Sequence, residues 1–209
     1  MIRAVVFDMD GVLIDAREWH YDALNRALGL FGYAISRLEH LTTFDGLSTR
    51  QKLDLLSLDR GLPRGLHTFI NEMKQRYTVE VIHQRCRPSF IHEYALSKLR
   101  EKGYQLGVAS NSIRATVELM MEKSHLRQHL QIMLSNQDVA KAKPDPEIYR
   151  AAAARLHLKP EECLVVEDNA HGIKAAESAG CPVLAVTGVN DVNLPNILTT
   201  IQRLDGPQQ

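Results

Sequence analysis

The stretch Ala4-Val5-Val6-Phe7-Asp8-Met9-Asp10-Gly11 changes from apolar to acidic within a single short segment. Its apolar half is short and rich in β-branched side chains, which is typical of a buried strand. The strand is expected to stop at a loop, because two acids and a glycine follow it. In an extended segment Asp8 and Asp10 point the same way. The stretch therefore predicts a core strand that ends in a pair of carboxylates.

Three further apolar runs have the same form, and each ends in polar residues. They are Gln105–Ala109 before Ser110, Cys163–Val166 before Glu167, and Pro182–Val186 before Thr187. Helical patterns lie between them, over 90–102, 115–123, 147–156 and 172–179. This alternation predicts an α/β fold with a doubly wound parallel sheet. Ligands of such sheets bind beyond the carboxyl ends of the strands, so we expect the polar clusters to share one crevice.

The segment from residue 15 to residue 86 breaks the alternation, because it contains no strand-like run. Trp19, Leu24, Leu28 and Phe31 share one helical face there. We therefore predict an inserted α-helical domain over 15–86, with a core domain built from 1–14 and 87–209. The end of the chain, 206–209, is expected to be a frayed tail.

The composition excludes several classes of protein. The 209 residues are 44% hydrophobic and 24% charged, as in ordinary globular proteins. The 25 basic and 25 acidic residues cancel and form no basic block, so a nucleic-acid partner is not expected. The 3 cysteines form no Cys-x-x-Cys pair, which argues against a zinc site or a disulfide scaffold.

The beginning of the chain does not resemble a targeting segment. Arg3, Asp8 and Asp10 interrupt its apolar residues, so neither a signal peptide nor a membrane span fits. We expect a cytoplasmic protein without a membrane partner. No large exposed apolar patch is indicated, so a monomer is expected.

The acids at the ends of two predicted strands indicate a site for a hard cation. Asp8 and Asp10 offer the oxygen ligands that Mg²⁺ prefers, and Asp10 could act as a general acid and base. Glu167 and Asp168 end another strand and can place acids opposite Asp8. In the alternative interpretation one acid of the first pair caps a turn and the other is solvated, while Asp168 or Asn169 only caps the following helix.

Two other segments carry groups that suit a phosphate. Ser110-Asn111-Ser112 offers hydroxyl and backbone N–H donors, although it could equally only cap the next helix. Lys143-Pro144-Asp145-Pro146 places a cation before a helix that opens with Asp145 as cap and Pro146 as first residue. Lys143 is either an ordinary surface lysine or turns inward to neutralise a phosphate and the clustered acids.

Taken in chain order, these elements resemble the four motifs of the haloacid dehalogenase superfamily. The matching stretches are Asp8-Met9-Asp10-Gly11-Val12, Ser110, Lys143-Pro144 and Glu167-Asp168-Asn169, which span nearly the whole chain. The resemblance implies a Rossmann-like core in which the helical insertion is a cap that closes over the site. It also narrows the chemistry, because dehalogenases and phosphonate-cleaving relatives lack an acid at the place of Asp10.

The resemblance also implies a role for each motif residue. Asp8 would attack phosphorus to give an aspartyl phosphate, and Asp10 would protonate the leaving alcohol and then activate water. Ser110 and Lys143 would hold the transferring phosphoryl group, with Asn111 beside them. The Mg²⁺ ligands would be the Asp8 carboxylate, the Asp10 backbone carbonyl and Asp168, and Glu167 would support them.

Within the predicted cap, Glu18-Trp19-His20 and Gly46-Leu47-Ser48 resemble the β-phosphoglucomutase branch. The resemblance implies that His20, Gly46 and Ser48 face the substrate, although His20 could also be a helix-surface histidine. That branch holds the second phosphate of a bisphosphate with two basic residues, whose places carry Thr49 and Ile113 here.

Arg50 and Arg114 stand one step further along the chain and are candidates to replace those two basic residues, so Arg50 is included among the substrate-binding residues. We therefore expect a Mg²⁺-dependent phosphatase for a small phosphorylated metabolite such as a sugar phosphate. One alternative is a β-phosphoglucomutase-like sugar phosphomutase. Another is a non-catalytic protein that binds a phosphorylated metabolite, although the retained acids argue against it. A receiver domain would not need the helical insertion.

Overall fold

The computed structural model describes residues 1–44 and 46–206, which form two compact units. Unit 1 consists of Met1–Asp15 and the chain from Cys86 onward, and unit 2 is Ala16–Arg85. Residues 207–209 of the predicted frayed tail lie outside the described part of the chain. None of the helices among the described residues is long and apolar enough to cross a membrane.

Unit 1 is built on a five-stranded sheet in which all neighbouring strands are parallel. The strands are β1 (Ala4–Phe7), β2 (Gln105–Ala109), β3 (Ile132–Leu134), β4 (Cys163–Glu167) and β5 (Val183–Ala185). Their spatial order is β3-β2-β1-β4-β5. The chain winds outward from β1 to one side and then crosses to the other, so the order reverses between β1 and β4. The predicted α/β, doubly wound class is confirmed.

The pairing register places the site residues at one edge of the sheet. Phe7 is level with Val108 of β2 and with Val166 of β4. Asp8 therefore follows β1 at the level of Glu167, and Ser110 follows the end of β2. The carboxyl ends of three adjacent strands thus bring together the acids and the serine that are far apart in sequence.

The described residues form helices in both units. Unit 2 contains α1 (Arg17–Gly29), α2 (Arg37–Leu41), α3 (Thr49–Arg60) and α4 (His67–Arg85). Unit 1 contains α5 (Phe90–Glu101), α6 (Arg114–Lys123), α7 (Glu147–Arg155), α8 (Ala170–Ala179) and α9 (Leu194–Asp205). The predicted helical patterns of unit 1 correspond to α5, α6, α7 and α8. Short 3₁₀ turns occupy Arg64–Leu66, Arg127–His129, Pro160–Glu162 and Val189–Asp191.

Two elements of unit 1 have no counterpart in the sequence-based expectation. The strand β3 has only three residues, which are too few to show strand periodicity. Two of them are half-buried. The helix α9 follows the last predicted strand and packs against α5. Its cap is Asn193, whose side chain accepts a hydrogen bond from the backbone N–H of Asn196.

The helix starts resolve three capping alternatives. Asn169 caps α8, since its side chain accepts a hydrogen bond from the N–H of His171, and α8 starts at Ala170 rather than near Gly172. The predicted start of α7 is wrong by one residue, because the helix begins at Glu147 and its N-cap is Pro146 instead of Asp145. Asp145 nevertheless accepts a hydrogen bond from the N–H of Glu147. In contrast, the Ser110–Ser112 tripeptide does not cap α6, whose N-cap is Ile113 without a side-chain cap bond.

Separate apolar clusters stabilise the two units. In unit 1, α7 and α8 cover one face of the sheet, where Ala4, Val6, Cys163 and Val165 belong to the same cluster as Tyr149. Since Ala4 and Val6 face this side, Val5 and Phe7 point to the opposite face, and all four are buried. Two-sided burial explains why β1 is apolar without alternation.

Unit 2 has its own helical core, in which α1 packs against α4. The buried members of its cluster include Leu24, Leu28, Leu53 and Leu56. Phe31, which the helical stripe placed on the same face, is 37% exposed because it lies beyond the end of α1. The apolar stripe therefore predicted the central turns of α1 correctly but not the residue at which the helix ends.

The three cysteines, Cys86, Cys163 and Cys181, are free and buried in unit 1. Burial raises the pKa of Cys86 and Cys163 to about 11 and that of Cys181 to about 12. They are thus neutral packing residues, as the lack of a Cys-x-x-Cys pair indicated.

His92 of α5 is buried and connects two loops of unit 1. Its Nε2 atom donates a hydrogen bond to the Val189 carbonyl at 2.9 Å, and the backbone of Leu13 also lies beside the ring. Burial lowers the pKa of His92, and the two backbone groups oppose this only in part. The folded protein therefore keeps the imidazole neutral.

This burial makes stability depend on pH. In the unfolded chain His92 takes up a proton as the pH falls through the ordinary pKa of histidine, whereas in the folded chain it does not. The free energy of unfolding should therefore decrease as the pH is lowered. Replacing His92 by Gln keeps an N–H donor but removes the titration. Urea unfolding at about pH 7.5 and about pH 5.5 should show a smaller loss of stability in His92→Gln than in the wild type. An equal loss in both proteins would contradict the assignment.

Candidate active site

Lys143 is the centre of a buried ion cluster at the carboxyl edge of the sheet. Its Nζ atom donates to Asp8 Oδ1 and to Glu167 Oε1, at 2.6 Å in each case. The Lys143 side chain is only 4% exposed, so it is not a surface lysine. The cation lies between the acids that follow β1 and those that end β4.

The carboxylate of Glu167 is held on both oxygens. Oε1 also accepts a hydrogen bond from the Tyr149 hydroxyl at 2.6 Å, and Oε2 lies 3.2 Å from the backbone nitrogen of Asp168. A Cβ atom at Gly172 of α8 would overlap this carboxylate, so glycine leaves the space that Glu167 fills. The position of Glu167 thus depends on α7, α8 and Lys143 together.

The electrostatics of Asp8 are dominated by burial. Burial raises the pKa of Asp8 well above its ordinary value, and the charges of Glu167 and Asp10 add to this despite the opposing Lys143. Burial alone would lower the pKa of Lys143, but the carboxylates of Asp8 and Glu167 raise it overall. Lys143 therefore stays protonated beside the two carboxylates.

Asp8, Glu167 and Asp168 form a group that could hold a metal ion. Each offers a carboxylate oxygen, and these atoms all lie within 4.8 Å of one another. A set made only of hard oxygen donors fits Mg²⁺ better than a softer metal such as zinc. The donor chemistry of the cluster therefore fits the predicted cation.

The loop after β2 orders the site from the other side. Asn111 holds the backbone of Lys143, because its Oδ1 accepts from the Lys143 N–H at 3.0 Å and its Nδ2 donates to the Lys143 carbonyl at 3.3 Å. Ser110 is buried, and its Oγ accepts from the N–H of Ser112 at 3.0 Å. Ser112 in turn donates from its hydroxyl to Asp10 Oδ2 at 3.0 Å.

The structure therefore brings Asp8, Asp10, Ser110, Lys143 and Glu167 to one edge of the sheet in unit 1, with Asp168 next to them. A family model described as "Haloacid dehalogenase-like hydrolase" matches residues 5–186, which is most of the chain. The chain belongs to the haloacid dehalogenase-like hydrolases. The family predicted from the four motifs is confirmed.

Individual relatives of this haloacid dehalogenase-like hydrolase are phosphatases by name. The Phosphorylated carbohydrates phosphatase of Thermotoga maritima is 30% identical over 182 residues, which cover 86% of this chain and 82% of the relative. The Pyrophosphatase PpaX of Bacillus mycoides is 27% identical over 186 residues, covering 89% and 84%. The predicted class of enzyme, a haloacid dehalogenase-like phosphatase, is confirmed.

A solved structure supports the fold of the branch that the sequence resembles. The β-phosphoglucomutase of Clostridium difficile superposes with a TM-score of 0.82, covering 96% of this chain and 97% of the other, at 23% identity. At this identity the likeness concerns the fold alone. This hydrolase thus has the β-phosphoglucomutase-like architecture.

The substrate-binding residues predicted in the insertion all lie in unit 2 of this hydrolase. The Nδ1 atom of His20 lies 3.3 Å from Nζ of Lys74, a buried residue of α4. Ser48 caps α3, accepting at Oγ from the N–H of Gln51. Gly46 has a φ of 68°, in the left-handed region that favours glycine, and Arg50 is exposed on α3. Their contact with substrate stays a prediction.

Arg114, the candidate for a second phosphate in unit 1, is paired with an acid. Its guanidinium donates to Asp138 Oδ1 at 2.9 Å, an oxygen that also accepts from Arg155 at 2.8 Å. Burial opposes ionisation of Asp138, but hydrogen bonds from Ser135 and the two arginines hold its pKa well below the ordinary value. The carboxylate therefore keeps Arg114 engaged.

Tyr149 is a site residue that the sequence did not indicate, and the bond from Ser112 to Asp10 was not predicted either. Tyr149 is fully buried, and burial followed by the charge of Glu167 raises its pKa well above the ordinary value, so its hydroxyl is a neutral donor. Its ring also lies 4.8 Å from Lys143 Nζ. In the sequence it is one apolar position of a helix, and nothing marks it as a partner of Glu167.

Removing the Tyr149 hydroxyl should destabilise the protein while keeping the ring. Tyr149→Phe leaves Glu167 with one donor fewer in a buried place, for which we expect a loss of about 1–2 kcal/mol in the free energy of unfolding. Urea unfolding measures it. Tyr33→Phe is the matched control, because the Tyr33 hydroxyl makes an exposed hydrogen bond to the Gly61 carbonyl; it should change stability by less than about 0.5 kcal/mol. Equal effects would contradict a special role of Tyr149.

Proposed function

We propose that the protein is a Mg²⁺-dependent phosphatase that hydrolyses a small phosphorylated metabolite, such as a sugar phosphate, through an aspartyl-phosphate intermediate. The observation that carries the proposal is the buried bridge of Lys143 between Asp8 and Glu167. A nucleophilic carboxylate and a cation that neutralises a phosphoryl group are needed side by side in such a reaction.

The reaction proceeds in two steps, transfer of the phosphoryl group to Asp8 and hydrolysis of the aspartyl phosphate. A carboxylate oxygen of Asp8 attacks phosphorus, the bond to the alcohol oxygen breaks, and Asp10 donates its proton to that oxygen. Asp10 then removes a proton from water, the water oxygen attacks phosphorus, and the bond to Asp8 breaks to release phosphate. Lys143 and Ser110 hold the phosphoryl oxygens during both steps.

The cation site completes the charge balance. The carboxylates of Asp8 and Asp168 and the Asp10 carbonyl, with Glu167 nearby, would hold Mg²⁺, which would supply positive charge to shield the attacking carboxylate from its anionic substrate. The three carboxylate oxygens of Asp8, Glu167 and Asp168, which lie within 4.8 Å of one another, support this assignment. Removing the metal with a chelator should therefore abolish turnover.

The pairing of Arg114 favours a phosphatase over a phosphomutase. A mutase has to hold the second phosphate of a bisphosphate, and Ile113 stands where the mutase branch has a basic residue. Arg114, which could have replaced it, is bound to Asp138.

We infer that the inserted unit 2 is a cap that recognises the substrate and excludes water. Its candidate substrate contacts are His20, Gly46, Ser48 and Arg50. In unit 1, Asn111 would lie beside the phosphate.

The test is a phosphate-release screen with Mg²⁺ over sugar phosphates, other phosphorylated metabolites and pyrophosphate. Release from a sugar phosphate is the expected result, and it should stop when the metal is chelated. A preference for pyrophosphate would overturn the proposed substrate class. If no compound turned over, the non-catalytic alternative would be favoured. Phosphorus NMR of a hexose 1-phosphate separates the mutase, because the 6-phosphate would appear without free phosphate.

A further inference from the structure

Ser112 makes a hydrogen bond that links two loops of unit 1. Its hydroxyl donates to Asp10 Oδ2 at 3.0 Å across a sequence separation of 102 residues. Ser112 follows β2 and Asp10 follows β1, and these strands are neighbours in the sheet. The contact therefore comes from the fold itself and not from a local turn.

The backbone of Ser112 is held on both sides. Its N–H donates to Ser110 Oγ at 3.0 Å, and its carbonyl accepts from the N–H of Asn136 at 3.1 Å. Asn136 belongs to the loop after β3, which Asp138 closes by accepting from the N–H and the hydroxyl of Ser135. Because the backbone is fixed, the Ser112 hydroxyl is directed at Asp10 by the surrounding loops.

We propose that Ser112 is a positioning residue for Asp10. This role rests on the proposed function, in which Asp10 is the general acid. A hydroxyl has one proton to donate, and here it makes Asp10 Oδ2 an acceptor. The proton that Asp10 transfers is then carried on Oδ1, so the carboxyl group has one defined orientation toward the leaving oxygen. In the first step this proton moves from Oδ1 to the alcohol oxygen as its bond to phosphorus breaks.

This role predicts an effect that depends on the leaving group. An alcohol such as a sugar hydroxyl leaves poorly unless it is protonated, whereas p-nitrophenolate leaves without a proton. The ratio kcat/KM reports on the steps up to the first irreversible one, here the transfer of the phosphoryl group to Asp8. A misplaced Asp10 should therefore lower kcat/KM for a sugar phosphate and spare p-nitrophenyl phosphate.

The experiment compares Ser112→Ala with the wild type on these two substrates. We expect kcat/KM for the best sugar phosphate of the screen to fall by about 10- to 100-fold, a part of what general acid catalysis contributes. For p-nitrophenyl phosphate the change should stay within about twofold. Ser112→Thr keeps a hydroxyl and should retain most of the sugar-phosphate activity.

Ser124→Ala is the matched control, since it removes another buried hydroxyl, one that donates to the Met120 carbonyl at the end of α6. It should leave both ratios close to wild type. An equal loss of kcat/KM on both substrates in Ser112→Ala would show a merely structural role and overturn the proposal, as would no loss at all. Failure of the proposed function is a different result, in which the wild type hydrolyses neither substrate or Asp8→Asn hydrolyses both.

Discussion

Asp8→Asn is expected to lower phosphate release by at least about 10⁴-fold, because the variant has no nucleophile to form the aspartyl phosphate. The amide has nearly the same shape, so the position next to Lys143 can still be filled. Lys143 keeps the carboxylate of Glu167 as a partner in this variant, so the loss of the Asp8 charge should not unfold the protein. Phosphate release under saturating substrate, together with urea unfolding, measures both effects.

The matched control is Asp145→Asn, close to Lys143 in the chain. Asp145 accepts a hydrogen bond from the N–H of Glu147, and an asparagine oxygen can accept the same bond. This variant should keep its activity within about twofold. If Asp8→Asn retained more than about a hundredth of the wild-type rate, covalent catalysis by Asp8 would be refuted.

Gly172→Ala should produce the second large effect, a decrease in the free energy of unfolding where a glycine-to-alanine change in a helix usually increases it. Within a helix, replacing glycine by alanine normally stabilises by about 0.5–1 kcal/mol. Here the new Cβ atom would overlap the buried carboxylate of Glu167, which Lys143, Tyr149 and the backbone after β4 hold in place. We expect a loss of about 3 kcal/mol in unfolding free energy, since both overpacking and a disrupted buried ion pair oppose folding.

The same variant should also lose most of its activity, because a displaced Glu167 no longer holds Lys143 against Asp8. Gly29→Ala in α1 is its control, as a Cβ at Gly29 meets nothing within 4 Å. That change should be neutral or slightly stabilising. A Gly172→Ala protein as stable and as active as the wild type would mean that the Glu167 carboxylate has another position of similar energy.

The sequence predicted the elements whose signal is local. The run Ala4–Phe7 is a strand in the structure with the same bounds, because burial on both faces demands continuous apolar residues. The family motifs likewise predicted which acids, lysine and serine meet at the sheet edge. The strand Ile132–Leu134 was missed because three residues are too few to show a period.

The contacts that hold the site could not be read from the sequence. Tyr149 reaches Glu167 because α7 packs against a face of the sheet, and Ser112 reaches Asp10 because β1 and β2 are neighbours in the sheet. From the residues alone, Lys143 could lie at the surface or turn inward, and only the family resemblance indicated the site. Asn111 is engaged by the Lys143 backbone, a pairing that no motif encodes. The cap role of unit 2, the monomeric state and the location in the cell stay predictions.

The strand order has a consequence for synthesis on the ribosome. β1 is made first, yet one of its two neighbours, β4, emerges only after most of the chain has been translated. Until then a nascent chain that has already paired β1 with β2 presents an apolar strand with unpaired backbone groups on its other side, which is a template for aggregation. Truncated products that end before Cys163 should therefore be bound by chaperones and degraded by proteases.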